Sequence, residues 1–278
     1  MGEVEGISFI GGGNMARSLI GGLIGRGMDP AGLQVAEPYE AFRSALARDF
    51  SVAVHAENSA AAAAGATWVF AVKPQMLRQV AEELAPLAQA RQPLVISIAA
   101  GITSTQLERW LGGNIAVVRS MPNTPALLGA GATGLFANAR VSAPQRERAE
   151  RLLAATGITA WINDESGMDA VTALSGSGPA YVFLLAEAMQ SAGQAQGLDA
   201  DTARALALQT IFGAARMLVE SGEPADVLRQ RVTSPGGTTQ AALETFEAGG
   251  FRELVAKAIA DATERGRSLS AANDASPA

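Results

Sequence analysis

Ile7-Ser8-Phe9-Ile10-Gly11-Gly12-Gly13-Asn14-Met15-Ala16 carries the strongest structural signal in this 278-residue chain. The apolar run Ile7–Ile10 reads as a buried strand, and Asn14–Gly25 reads as a helix. Between them lies G-x-G-x-x-A, the spacing of a dinucleotide-binding turn. Gly11 permits the tight turn, Gly13 lets the backbone approach a pyrophosphate, and the small Ala16 lets helix and strand pack closely. Asn14 and Met15 open the helix, whose free N–H groups face the phosphates. Glycine turns are common, so the motif gains weight only from its place after the first strand of an alternating chain.

That alternation continues outward. Leu33–Ala36, Val52–Val54, Trp68–Val72, Leu94–Ile98 and Ala116–Arg119 read as further strands, with helical stretches such as Tyr39–Asp49 and Met76–Ala88 between them. The pattern predicts an α/β fold, a doubly wound parallel sheet covered on both faces. Thr133–Ala137 and Thr159–Ile162 are expected to add strands at its edge. In such sheets ligands sit at the carboxyl ends of the strands. That rule selects Glu37 after the second strand, Asn58 after the third, Ala71-Val72-Lys73-Pro74 after the fourth and Asn123 in Met121-Pro122-Asn123-Thr124-Pro125. Glu37 can accept hydrogen bonds from an adenosine ribose and repels a 2′-phosphate, which leans toward NADH. Arg43 is close enough in sequence to hold that phosphate instead, so NADPH stays open. Asn58 can reach a ribose hydroxyl. Lys73 reads equally as a phosphate or carboxylate partner and as a solvated loop residue, and His55 reads as structural or surface.

Beyond Asp164 the texture is helical: Gly178–Gln196, Ala200–Ser221, Pro224–Arg231, Gly237–Ala248 and Phe251–Leu269. Asp199 is placed to cap one of these helices, and Ser270–Ala278 reads as a frayed tail. The boundaries expected are therefore 1–163 for the dinucleotide-binding domain and 164–278 for a helical substrate and dimerisation domain. Tyr181–Met189 is apolar around most of its circumference, and such a helix must be buried. A half of this size has little interior for it, which predicts packing against a second copy; burial against the first half is the alternative.

Composition removes whole classes of chemistry. With no Cys there is no disulfide framework, thiolate metal site or Cys nucleophile. His55 is the only His, and Lys73 and Lys257 are the only Lys. A net charge of −6 gives no footprint for nucleic acid. Met1–Glu5 is acidic where a signal peptide is basic, and Gly6 breaks the myristoylation pattern. The apolar region from Ala170 to Ala186 is interrupted by Ser175–Pro179 and too short to span a bilayer. A cytoplasmic protein without membrane contact is expected.

The densest remaining motif is Ser234-Pro235-Gly236-Gly237-Thr238-Thr239, which opens a helix. Converging N–H groups and the helix terminus suit a small carboxylate, although an ordinary N-cap with glycines reads the same way. Together with Phe9–Ala16, Ala71–Pro74, Met121–Pro125 and Ser175-Gly176-Ser177-Gly178-Pro179-Ala180, it closely resembles the pyrroline-5-carboxylate reductase family from about residue 7 to residue 270. The resemblance implies a Rossmann-type sheet followed by an all-α dimerisation domain, with dimers often assembled into a decamer. It implies NADPH- or NADH-dependent reduction of 1-pyrroline-5-carboxylate to L-proline. By motif, Thr239 is expected to hydrogen-bond the ring nitrogen, and backbone groups of Ser234, Gly237 and Thr238 to hold the carboxylate. Glu37 departs from NADP-preferring relatives, which tend to carry a small or basic residue there.

The scarcity of proton donors agrees with an imine substrate. Reducing a ketone creates an alkoxide and calls for a His or Lys acid. The β-hydroxyacid dehydrogenases share the two-domain plan and use a lysine on the long helix, but Ser175–Gln196 contains none. Hydride addition to a protonated cyclic imine neutralises charge and needs no such acid. A reductase of another cyclic imine and a non-catalytic dinucleotide sensor are the competing readings.

Overall fold

This computed structural model describes residues 6–275, so the acidic start read above, Met1–Glu5, lies outside the described residues. Two compact units divide the chain: the segment up to Ser177 together with Asp261 onward, and Gly178–Ala260.

In the first unit, eight described strands form one sheet in the order β3-β2-β1-β4-β5-β6-β7-β8. They are β1 Ile7–Ile10, β2 Leu33–Ala36, β3 Ala53–His55, β4 Thr67–Phe70, β5 Leu94–Ser97, β6 Ala116–Met121, β7 Gly131–Ala137 and β8 Gly157–Trp161. Strands β1 to β6 run parallel. β7 runs antiparallel to β6, and β8 parallels β7 at the edge. The helices between them are α1 Asn14–Gly25, α2 Glu40–Phe50, α3 Asn58–Ala64, α4 Pro74–Arg91, α5 Ser104–Trp110 and α6 Ala143–Leu153.

Why the sheet is covered on both faces follows from the strands themselves. β1, β4 and β5 are buried along their whole length, as predominantly apolar strands require, with one buried Ser or Thr in each, Ser8, Thr67 and Ser97. Successive side chains point to opposite faces. Phe9, Val69 and Ile96 meet α1, α2 and α6 on one side. Ile10, Phe70 and Val95 meet α3, α4 and α5 on the other. α1 turns Ala16, Leu19, Ile20 and Leu23 inward, an i, i+3, i+4, i+7 stripe. Removing a large side chain here, such as Phe9→Ala, costs about 3–5 kcal/mol.

After β8 the chain turns helical, yet residues 165–177 still pack with the sheet. α7 Met168–Val171 leads into a single π-helical turn, Thr172–Gly176. The cause is a buried charge cluster. Arg119 on β6 reaches Glu165 at 3.4 Å and Asp169 at 3.3 Å, and Ser104 donates its N–H and hydroxyl to Glu165 at 2.6 and 2.7 Å. A guanidinium only 4% exposed must be paired in this way.

One expectation is corrected at the C-terminus. α12, Phe251–Ala275, continues through the region read as a frayed tail; residues 276–278 lie outside the described residues. Small polar residues looked unanchored, but Gln106 Nε2 donates to the Ser270 carbonyl at 3.1 Å. Asn273 Nδ2 likewise donates to the Gly101 carbonyl at 2.9 Å.

The second unit holds α8 Gly178–Ala195, α9 Ala200–Glu220, α10 Ala225–Arg231, α11 Thr238–Ala248 and the start of α12. Asp199 caps α9 as expected, accepting the Thr202 N–H at 3.0 Å. The Thr202 hydroxyl, and after it the Thr202 N–H, hold the Asp199 carboxyl below its ordinary value of 3.8. α8 buries only Ala186 among its described residues. Tyr181, Val182, Phe183, Leu184 and Leu185 are all exposed, Phe183 and Leu184 by 61% and 67%. Packing within its own unit therefore does not bury this run.

Candidate active site

The glycine turn is built from three neighbouring strand ends. Gly11 adopts φ +103°, and a Cβ there would stand 2.8 Å from the Ala71 carbonyl oxygen. Gly11 N–H donates to the Ala36 carbonyl at 3.0 Å, and Ala71 N–H to the Ile10 carbonyl at 2.8 Å. Glycine is thus required at position 11 by backbone geometry. Gly13 is different: its φ of −69° suits any residue, and a Cβ would meet nothing within 4 Å. Its lack of a side chain leaves open space directly over the start of α1.

That helix start has the chemistry of an anion seat. Gly13 is the N-cap and has no side chain to satisfy the first-turn N–H groups. Asn14-Met15-Ala16-Arg17 carries no carboxylate to compete. Asn14 is exposed, Met15 is partly exposed, and Ala16 is fully buried against the sheet. An open cradle, unsatisfied N–H donors and a helix dipole fit a pyrophosphate.

Glu37 closes the same turn from β2. Gly12 N–H donates to Glu37 Oε2 at 3.2 Å, and Tyr39 N–H donates to Oε1 at 3.1 Å. Arg43 Nη1 donates to the carbonyls of Glu37 and Pro38 at 2.9 and 2.5 Å. His55 pairs through Nε2 with the Gln34 side chain at 2.8 Å, matching its structural reading.

Other residues selected from the sequence lie at the same carboxyl edge. Val72 is partly buried, Lys73 is the exposed N-cap of α4, and Pro74 is its first residue. Asn58 opens α3, and its amide is 3.5 Å from Glu83. Asn123 has both ends of its amide engaged internally. Nδ2 donates to the Ser175 carbonyl at 3.0 Å, and Oδ1 accepts the Ala132 N–H at 2.9 Å. It ties the loop after β6 to β7 and to the π-helical turn. Gly176 completes this fit, since a Cβ there would stand 2.6 Å from Met121 Cε. Sequence patterns carried no sign of this tie or of Arg119, because their partners lie roughly fifty residues away in the chain.

In the second unit, Ser234–Thr239 forms a glycine-capped helix start. Gly236 has φ +69°, and Gly237 is the N-cap of α11. Two N–H groups of the loop are already engaged, Gly236 with Gln240 Oε1 at 2.7 Å and Gly237 with the Ser234 carbonyl at 3.0 Å. What remains at the terminus are the amides of Thr238 and Thr239 and their hydroxyls. Thr238 is exposed and Thr239 partly so. The arrangement offers neutral donors and a helix dipole to a small carboxylate.

Known proteins supply an independent comparison. Residues 165–269 match the family model described as pyrroline-5-carboxylate reductase dimerisation. Residues 6–101 match one described as NADP oxidoreductase, coenzyme F420-dependent. A pyrroline-5-carboxylate reductase of Pseudomonas aeruginosa is 51% identical over 264 residues, covering 95% of this chain and 96% of the relative. The structure of a Coxiella burnetii pyrroline-5-carboxylate reductase superposes with a TM-score of 0.93 at 43% identity, covering 96% and 99% of the two chains. A Plasmodium falciparum pyrroline carboxylate reductase crystallised with NADP bound gives 0.83 at 30% identity, covering 96% and 98%. Likeness of that degree, sustained from the glycine turn to the last helix, makes the chain a member of the pyrroline-5-carboxylate reductase family.

Proposed function

We propose that this chain reduces 1-pyrroline-5-carboxylate to L-proline with NAD(P)H, the last step of proline biosynthesis. The observation that carries the reading is the glycine-capped start of α11, a carboxylate seat with the Thr239 hydroxyl beside it and no His or Lys in the motif. In this reading residues 1–163 hold the cofactor through Gly11, Gly13, Asn14, Met15, Glu37, Asn58 and the Ala71–Pro74 turn, while Asn123 braces the loop after β6. Residues 164–278 hold the substrate and the dimer contact.

When bound, NAD(P)H supplies the hydride, so that protonated imine and NAD(P)H give the secondary amine and NAD(P)⁺. The chain's own residues bind and orient. The Thr238 and Thr239 amides, with Ser234 and Gly237 shaping the loop, hold the carboxylate. The Thr239 hydroxyl accepts the N–H of the protonated ring nitrogen and fixes which atom of the ring is presented. No side chain need deliver a proton to carbon or oxygen, because the added hydride neutralises the iminium. Orientation of this kind can lower a barrier by up to ~7–11 kcal/mol.

The exposed apolar face of α8 supports self-association as a dimer, and the family resemblance extends this to a decamer. Among the described residues no helix is long and apolar enough to cross a membrane, which supports a cytoplasmic enzyme. The test is oxidation of NADH and NADPH by the purified chain with 1-pyrroline-5-carboxylate and with its six-membered homologue. Proline as product is expected. Preference for the larger ring would replace the substrate, and no oxidation with either would favour a dinucleotide sensor. Thr239→Ala is expected to lower kcat/KM about tenfold, the scale of one neutral hydrogen bond at ~0.5–1.5 kcal/mol. Unchanged kinetics would remove its role.

A further inference from the structure

We propose that Glu37 is a specificity-determining residue that makes this chain select NADH over NADPH, an inference that rests on the dinucleotide reading of the glycine turn. The carboxylate stands at the carboxyl end of β2, where the ribose of an adenosine reaches in a doubly wound sheet. It is 8% exposed, and each oxygen has its own backbone donor, Gly12 N–H on Oε2 and Tyr39 N–H on Oε1. Its main chain is fixed as well, Glu37 N–H donating to the His55 carbonyl at 2.9 Å. Gly12 leaves no slack beneath it, since a Cβ there would lie 3.3 Å from Glu37 Cβ and 2.5 Å from Leu46 Cδ1.

These contacts give Glu37 two properties that a solvated glutamate lacks. It cannot swing aside to admit a second anion without releasing the Gly12 amide and loosening the turn that receives the pyrophosphate. It also keeps acceptor capacity, because an ionised carboxylate offers about four lone-pair sites and two are in use. A ribose hydroxyl can donate to the remainder. A 2′-phosphate can donate nothing and places like charge against a fixed, partly desolvated carboxylate.

The nearest cation does not reverse this balance. Arg43 Nη1 is engaged by the carbonyls of Glu37 and Pro38, at the point where the strand ends and those oxygens have no ladder partner. To hold a phosphate the guanidinium would have to leave both, uncovering them beside the carboxylate. Arg43 is therefore a brace for the Glu37 turn.

The test is direct binding of NADH and NADPH to the full-length protein, followed by nicotinamide fluorescence or calorimetry without substrate. The wild type is expected to show a Kd ratio, NADPH over NADH, of at least about ten, the scale of one like-charge contact. Glu37→Ser is expected to bring the ratio to about three or less, while Glu37→Asp, which keeps the charge, retains most of it. Loosening of the glycine turn weakens both cofactors together and leaves the ratio unchanged, so the ratio isolates the charge effect. Arg43→Ala is expected to leave it unchanged. A wild-type ratio at or below one, a ratio unmoved in Glu37→Ser, or a ratio that rises in Arg43→Ala would each overturn the assignment. Selective NADH binding without turnover of the imine would instead sink the reductase reading and leave Glu37 in its role.

Discussion

The sheet of the first unit and the helices of the second place their apolar residues in opposite situations. β1, β4 and β5 are buried from end to end, and both faces of the sheet close over their own helices. α8 is at least as apolar in its run Tyr181–Leu185, yet those side chains face outward, and on α9 Leu206 and Phe212 do the same. The difference teaches that the first unit closes its sheet over its own helices, whereas the second leaves an apolar run outside its own packing. The dimerisation match across residues 165–269 covers the whole of that second unit and extends into the flanking segments of the first. Glycine also has two situations: Gly11 is required by the fold, while Gly13 is only tolerated by it and leaves the space over the start of α1 open.

The largest effect is expected from breaking the exposed face. Phe183→Asp with Leu184→Asp touches positions that, in an isolated chain, would change stability within about 0.5 kcal/mol. If a second copy covers them, light scattering should show a fall from dimer or higher assembly to monomer, with activity lost. Phe42→Asp, on an equally exposed aromatic of α2, should leave the assembly unchanged. An unaltered mass in the α8 variant would remove the contrast between the two units.

Next in size is the pair of glycines. Gly11→Ala forces a positive φ and a clash with the Ala71 carbonyl, and should cost roughly 1–3 kcal/mol in denaturant unfolding. Gly13→Val should leave unfolding nearly unchanged while weakening dinucleotide binding at least tenfold, about 1.4 kcal/mol or more. Equal losses of stability in the two variants would mean that Gly13 is structural.

A smaller effect is expected at the tie within the first unit between the loop after β6, β7 and the π-helical turn. Asn123→Asp keeps the acceptor for Ala132 N–H but sets a carboxylate against the Ser175 carbonyl. kcat should fall several-fold, on the scale of one lost hydrogen bond, with the Kd for NADH little changed. A change in Kd alone would place Asn123 on the cofactor instead.

The smallest concerns the α9 cap. The Asp199 carboxyl is held below its ordinary value of 3.8 by Thr202, so its contribution is full above that pH and is lost as pH falls through the depressed value. Asp199→Ala should melt earlier than wild type at neutral pH, and the gap should close in acid. A gap independent of pH would show that the charge is irrelevant to the cap.

How much of this was legible in the chain follows from the range of each interaction. Continuous apolar strands and the spacing of α1 are local signals, and Asn14–Gly25 forms as read. β3 lies one residue later than read and β4 ends two residues earlier, because the last ladder bond depends on the neighbouring strand. Capping boxes at Thr103/Gln106 and Ser142/Gln145 start α5 and α6, short helices whose periodicity is weak but whose S/T-x-x-Q signature is local. The continuation of α12 was not legible, since its partners Gln106 and Gly101 lie far away in sequence. The same holds for Asn123 with Ser175 and for Arg119 with Asp169. In the candidate site, motifs located the glycine loops, but only coordinates distinguish the engaged Gly237 amide from the amides of Thr238 and Thr239.

The central claim is that this enzyme works by placement, with the proton already on the substrate. The measurement that tests it most directly is the pH dependence of kcat/KM for imine reduction in the wild type and in Thr239→Val. The account predicts a single limb, following protonation of the free imine, with Thr239→Val lowering the whole profile and leaving its midpoint where it was. A further limb from an ionising protein group, or a midpoint displaced by the substitution, would contradict it.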